Sequence, residues 1–116
     1  MNKVTIYHNP RCSKSRQTLS LLEEQGVTPN VIEYLKTPPS VEKLGEILTL
    51  LELSPRELMR KKEAPYAELN LADASMSKAE LINAMVNNPV LIERPIVLAN
   101  GKAAIGRPPE NVLALL

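Results

Sequence analysis

The stretch YHNPRCSKSR, residues 7–16, holds the only histidine of the chain, His8, and the only cysteine, Cys12. A cysteine is a nucleophile as its thiolate, so the question is what would ionise it. Two features do. Residues 1–22 contain no Asp or Glu, but they contain Lys3, His8, Arg11, Lys14 and Arg16. Cys12 also stands where a strand pattern gives way to a helix pattern. The first turn of a helix leaves backbone N–H groups unpaired and carries partial positive charge, which stabilises an anion. The thiol is therefore expected to titrate below the free value of about 8.5. The hydroxyls of Ser13 and Ser15 are further candidate donors to the sulfur. Two plainer readings stay open at this level. A lone cysteine is often a small buried apolar residue, and His8 serves equally well as a loop-capping side chain.

Two familiar thiol motifs are absent. A C-x-x-C pair needs cysteine at position 15, where Ser15 stands. A mixed disulfide on Cys12 must then be resolved by another molecule. The phosphatase pattern C-x5-R needs arginine at position 18, where Thr18 stands, and Arg16 comes two residues early.

The elements that must position this loop read clearly. KVTIY (3–7) alternates and is rich in β-branched residues, which predicts a strand. From Ser13 to Gln25 there is no Gly or Pro, and Leu19, Leu21 and Leu22 supply an apolar face. Gly26 then suits the left-handed position that ends a helix. NVIEYL (30–35) predicts a second strand, and strand, helix, strand at this spacing makes the two strands parallel. Ser40 is placed to cap a helix carrying Leu44, Ile47, Leu48 and Leu51. SPRE (54–57) and SKAE (77–80) both read as capping boxes. The second precedes Leu81, Ile82, Met85 and Val86, and Asn88-Pro89 ends that helix. PIVLA (95–99) and KAAIG (102–106) flank Asn100-Gly101, the favoured two-residue hairpin turn. PPENVLALL then predicts a last helix. With the central helices set aside, the order is that of an α/β thioredoxin/glutaredoxin-like fold: a mixed four-stranded sheet with a helical insertion, residues 1–116 forming one domain.

Composition limits the function classes. At 116 residues the chain suits one domain, which can bury roughly two-thirds of its unfolded surface. Phe and Trp are absent, so Leu, Ile, Val, Met and Ala must fill the core. A net charge of +1 argues against a dedicated nucleic-acid binder. No apolar run approaches the roughly 18 residues of a membrane span. The N-terminus lacks a signal-peptide pattern, and one cysteine permits neither an internal disulfide nor a four-cysteine zinc site. A free thiol in such a chain fits the cytoplasm. Monomer is the expected state.

YHNPRCSKSRQTL closely resembles the active-site loop of the arsenate reductase family that works with glutathione and glutaredoxin. Three later segments resemble the same family in order and spacing: ELMRKKE with Arg60, LIERPIV with Arg94 and AIGRPPE with Arg107. The resemblance spans essentially the whole chain and is nearest to the short bacterial members labelled YfgD-like. It implies that Cys12 attacks arsenate and that His8 helps to hold Cys12 as thiolate. It implies that Arg60, Arg94 and Arg107 bind the oxyanion and that Pro95 is a cis-proline beside the cysteine. Glutathione would release arsenite and leave a mixed disulfide, which glutaredoxin would reduce. Neither a metal nor a tightly bound cofactor is implied. Two other functions keep the same fold: a regulator similar to the Spx family, and a monothiol transferase acting on glutathione mixed disulfides. The first typically needs the C-x-x-C that Ser15 removes. The second has no use for three arginines.

Overall fold

The computed structural model describes residues 3–116. It divides into two compact units, Met1–Thr37 with Arg94–Leu116, and Pro38–Glu93. The first unit holds the sheet. Strands β1 (Val4–His8), β2 (Asn30–Glu33), β3 (Ile96–Ala99) and β4 (Lys102–Ile105) lie in the order β2-β1-β3-β4. β1 runs parallel to β2 and antiparallel to β3, and β3 and β4 form the antiparallel hairpin. This is the expected thioredoxin-like mixed sheet, interrupted between β2 and β3 by the helical insertion. Among the described residues no helix is long and apolar enough to cross a membrane.

Helix α1 (Ser13–Glu24) follows β1 directly, and Gly26 sits at φ 79° beyond its end. One face of the sheet is covered by α1 and a 3₁₀ helix, Pro109–Leu115. The cluster they close contains Val4, Ile6, Leu22, Val97, Ala99, Val112 and Leu115. Leu19 and Leu21 pack at its margin, so α1's apolar face is narrower than its leucines suggested. Its other buried positions are Ser15 and Thr18, and they face the site end of the unit. The final helix is 3₁₀ where a regular helix was expected. The buried residues Pro109, Val112 and Leu115 recur every third position, which a three-residue turn places on one side. Asn100 and Gly101 take φ values of 53° and 72°, as the hairpin turn requires. The Asn100 amide also donates to the Leu115 carbonyl at 2.6 Å, tying the turn to the chain end.

The insertion is built on α2 (Val41–Leu51) and α4 (Lys78–Asn87), which pack on each other; the short α3 (Ala64–Glu68) comes between them in sequence. Ser40 caps α2 by accepting from the Lys43 N–H at 3.0 Å. Ser77 and Glu80 close a reciprocal box on α4, at 3.1 and 2.9 Å. Of the residues the helical spacing selected, Leu44, Ile47 and Leu48 of α2 and Leu81, Ile82 and Met85 of α4 are buried, and Leu51 and Val86 are half-buried. SPRE makes only a single 3₁₀ turn, Pro55–Leu58. The chain then extends at Met59 to bridge Ile92, and two backbone bonds flank the bridge: Arg60 N–H to Leu91 O and Glu93 N–H to Leu58 O.

Candidate active site

Sheet register brings the cysteine loop and two arginines to one end of the first unit. Ile96 pairs with both Tyr7 and Ile105. One step outward, the Gly106 N–H donates to the Pro95 carbonyl at 2.9 Å. The next step sets Arg94 opposite Arg107, beside the point where β1 leaves the sheet for Cys12. Arg107 Nε donates to the Arg94 carbonyl at 2.8 Å. Its terminal nitrogen reaches Cys12 Sγ at 3.5 Å. The Arg94–Pro95 bond is cis, as expected for this proline. Arg107–Pro108 is cis as well, which nothing in the sequence indicated.

Cys12 is buried and stands as the N-cap residue of α1. Its N–H donates to the Asn9 carbonyl at 3.0 Å, and the Asn9 side chain accepts from the Arg11 N–H at 3.0 Å, so the loop is a compact turn. Burial pushes the thiol's pKa up. The Ser15 N–H, the hydrogen bond and charge of Arg94, and the Lys14 N–H together outweigh that, and the pKa falls below its ordinary value. The helix start favours the thiolate as the sequence suggested, but the charge that favours it is that of Arg94 and not that of the basic residues in the loop.

Ser15 acts differently from expectation. Its backbone N–H serves the sulfur, but its hydroxyl is engaged elsewhere: with His8 Nδ1 at 2.6 Å and with the Asn9 N–H at 3.0 Å. All three residues are buried. The link from His8 to Cys12 therefore runs through Ser15 and the loop backbone. Burial lowers the His8 pKa; Glu33, its β2 neighbour, opposes this and Arg16 adds to it. The ring is therefore neutral at pH 7, and it positions the loop without adding positive charge near the thiol.

The lowered His8 pKa has a thermodynamic sign. Between the folded value and the unfolded value near 6.5, the unfolded chain binds more protons, so stability rises with pH. The contribution is complete above pH 6.5 and is lost as pH falls through that window. Urea unfolding at pH 7.5, 6.5 and 5.5 should show stability falling on acidification, by at most about 1.4 kcal/mol per pH unit for one proton. In His8→Asn, whose amide can still partner Ser15, this slope should flatten. An unchanged slope would assign it to other groups.

Sequence reasoning missed Gly106 and Thr18. Thr18 Oγ1 donates to the Lys14 carbonyl at 2.8 Å and approaches the Gly106 carbonyl at 3.4 Å. A Cβ on Gly106 would meet the Thr18 side chain and would lie 2.8 Å from Pro95 Cγ. Only glycine lets the end of β4 come this close to α1, and that approach delivers Arg107 to the sulfur. A glycine closing a strand just before Arg107 was the available signal.

Arg60 lies in the insertion. There its guanidinium pairs with Glu63 at 3.2 Å and Glu93 at 3.3 Å, so its charge is balanced by two carboxylates. The residues that reach Cys12 in the first unit are Arg94 and Arg107.

A buried thiol with a lowered pKa, held by two guanidinia across a cis-proline hairpin, is an arrangement that comparison with known proteins can place. Residues 7–115 match the ArsC family. The chain belongs to the ArsC family. It is 62% identical over 115 residues to the Escherichia coli K12 protein YfgD, covering 98% of this chain and 97% of the relative. It is 51% identical over 117 residues to an arsenate reductase of Neisseria meningitidis, covering 100% of both. Among solved structures, an arsenate reductase from Vibrio cholerae superposes with a TM-score of 0.95 at 56% identity, over 98% of each chain. This ArsC-family chain therefore shares fold and length with proteins named for arsenate reduction.

Proposed function

We propose that the protein is an arsenate reductase using Cys12 as nucleophile. The observation that carries the reading is the pair of arginines, Arg94 and Arg107, on a thiol whose pKa is lowered. A simple thiol transferase needs the thiolate but not a second guanidinium. A tetrahedral oxyanion needs both. Arginine cannot lose its charge, and its planar fork matches two oxygens at once. The family names of the relatives point to arsenate as that oxyanion.

In the proposed sequence the Cys12 thiolate attacks arsenic and displaces one oxygen as water or hydroxide. Arg94 and Arg107 neutralise the charge on the remaining oxygens. Arg60 enters as a third oxyanion ligand on the family resemblance alone. His8 keeps Ser15, and through it the loop, in place. A glutathione thiolate then attacks Cys12 Sγ. The sulfur–sulfur bond forms, and the sulfur–arsenic bond breaks with its electron pair left on arsenic. Arsenic passes from +5 to +3, and the two sulfurs are oxidised to a mixed disulfide. Glutaredoxin reduces that disulfide. Glutathione is thus a co-substrate, no metal or resident cofactor is required, and the reducing thiols suit a cytoplasmic setting.

The test is arsenate-dependent NADPH oxidation in the presence of glutathione, glutathione reductase and glutaredoxin. Turnover should saturate with arsenate and should need both thiols. Folded protein that reduces no arsenate under any thiol condition overturns the proposal.

A further inference from the structure

Strand β4 ends at Ile105, and Arg107 lies just beyond it, on the link to the 3₁₀ helix Pro109–Leu115. That link has few ways to fix itself. The Gly106 N–H donates to the Pro95 carbonyl at 2.9 Å, and the Arg107 N–H turns back to the Ile105 carbonyl at 2.9 Å. Pro108 and Pro109 follow, and a proline has no N–H to donate. Among the described residues β4 is also an edge strand, paired on one side only. Arg107 itself is exposed, so the aim of its guanidinium at Cys12 Sγ depends on where its backbone is held.

Asn111 holds it. A side-chain amide nitrogen carries two hydrogens. That of Asn111 donates to the Arg107 carbonyl at 3.0 Å and to the Ile105 carbonyl at 3.4 Å. One side chain thus clasps the carbonyls on both sides of Gly106, while Thr18 approaches the carbonyl of Gly106 itself. The clasp is anchored at its other end. The Asn111 N–H donates to the Pro108 carbonyl at 3.0 Å, and its helix places Val112 and Leu115 in the core cluster. The amide therefore ties the backbone of Arg107 to the packed core of the unit. We infer that Asn111 is a positioning residue: by bridging the Ile105 and Arg107 carbonyls it sets the backbone from which Arg107 reaches Cys12. Its amide serves backbone, so it acts on the site through Arg107. The consequence for turnover rests on the oxyanion reading above; the consequence for the thiol does not. A displaced fork loses its match to two oxygens, and a shift of a fraction of an ångström is expected to lower the rate by about tenfold.

The experiment titrates Cys12 by its ultraviolet thiolate absorbance, with no arsenate present. Asn111 is exposed, so alanine there empties no core position. In Asn111→Ala the Cys12 midpoint should rise, by less than in Arg107→Ala. In an Arg107→Ala background the same substitution should leave the midpoint where it is, because its effect passes through the missing guanidinium. A merely structural loss would act in both backgrounds. Asn100→Gly is the control. It keeps the left-handed turn but removes another tie from an amide to a carbonyl, at the far end of the hairpin. Its resistance to urea should fall while its Cys12 midpoint stays parental. An Asn111→Ala midpoint equal to the parental one overturns the inference. So does a rise that persists without Arg107, or one that Asn100→Gly reproduces. Where the parent reduces arsenate, Asn111→Ala should lose about tenfold in turnover, and parental turnover overturns the inference too. A rise that requires Arg107, in a protein that reduces no arsenate, upholds the inference and sinks only the proposed activity.

Discussion

Cys12→Ser protein should fold as well as its parent and reduce no arsenate. The substitution exchanges one atom at a buried position. Serine is among the preferred N-cap residues, and Cys12 is the N-cap of α1 with extended φ and ψ of −94° and 123°. A hydroxyl there can accept from the first-turn N–H groups that now face the sulfur, so the thermal midpoint should hold or rise slightly. Chemistry responds in the opposite way. An alcohol does not ionise near neutral pH under the influences that bring a thiol below its ordinary value. The chain has no second thiol to take over. Turnover should fall more than a thousandfold, and ultraviolet thiolate absorbance should vanish from the titration. Arsenate reduction above about 1% of the parental rate would mean that the nucleophile is not Cys12.

Much of this site was legible because local rules and long-range pairing agree. A β-branched run, an acid-free loop and a Gly-terminated helix place Cys12 at a helix start without reference to anything distant. Asn100-Gly101 fixes the hairpin, and the hairpin fixes the register that sets Arg94 opposite Arg107. What stayed hidden depends on close approach in three dimensions. The Ser15 hydroxyl was read from the sequence as a donor to the sulfur, and sequence spacing does not reveal that His8 competes for it. The short contact with His8 Nδ1 decides it. Gly106 is needed because Thr18 and Pro95 crowd the space its side chain would occupy, and those neighbours are far away in sequence. Arg60 illustrates the reverse case. It stands in sequence beside Lys61 and Lys62, and Glu63 and Glu93 balance its charge. Glu93 comes within reach only because Met59 bridges Ile92.

Arg94→Ala and Arg107→Ala should each lower arsenate turnover by about 10²–10³, the usual effect of removing one preorganised oxyanion donor. They should act on the thiol too. Arg94 lowers the Cys12 pKa through both a hydrogen bond and its charge, and Arg107 donates to the same sulfur. The Cys12 titration midpoint should therefore rise in both variants. These two effects must be separated, because a higher midpoint alone reduces turnover by depleting thiolate. The separation is made by pH. At a pH above the midpoint of every variant, the thiolate is fully formed and the first effect disappears. The loss that remains there reports the oxyanion. Lysine variants divide the two roles a second way. A lysine restores a positive charge, so Arg94→Lys should return the midpoint most of the way to the parental value. It does not restore a planar fork with paired N–H groups, so turnover should recover far less. If high pH rescues the alanine variants to parental turnover, the arginines only tune the thiol and bind no oxyanion. The site would then be that of a thiol transferase.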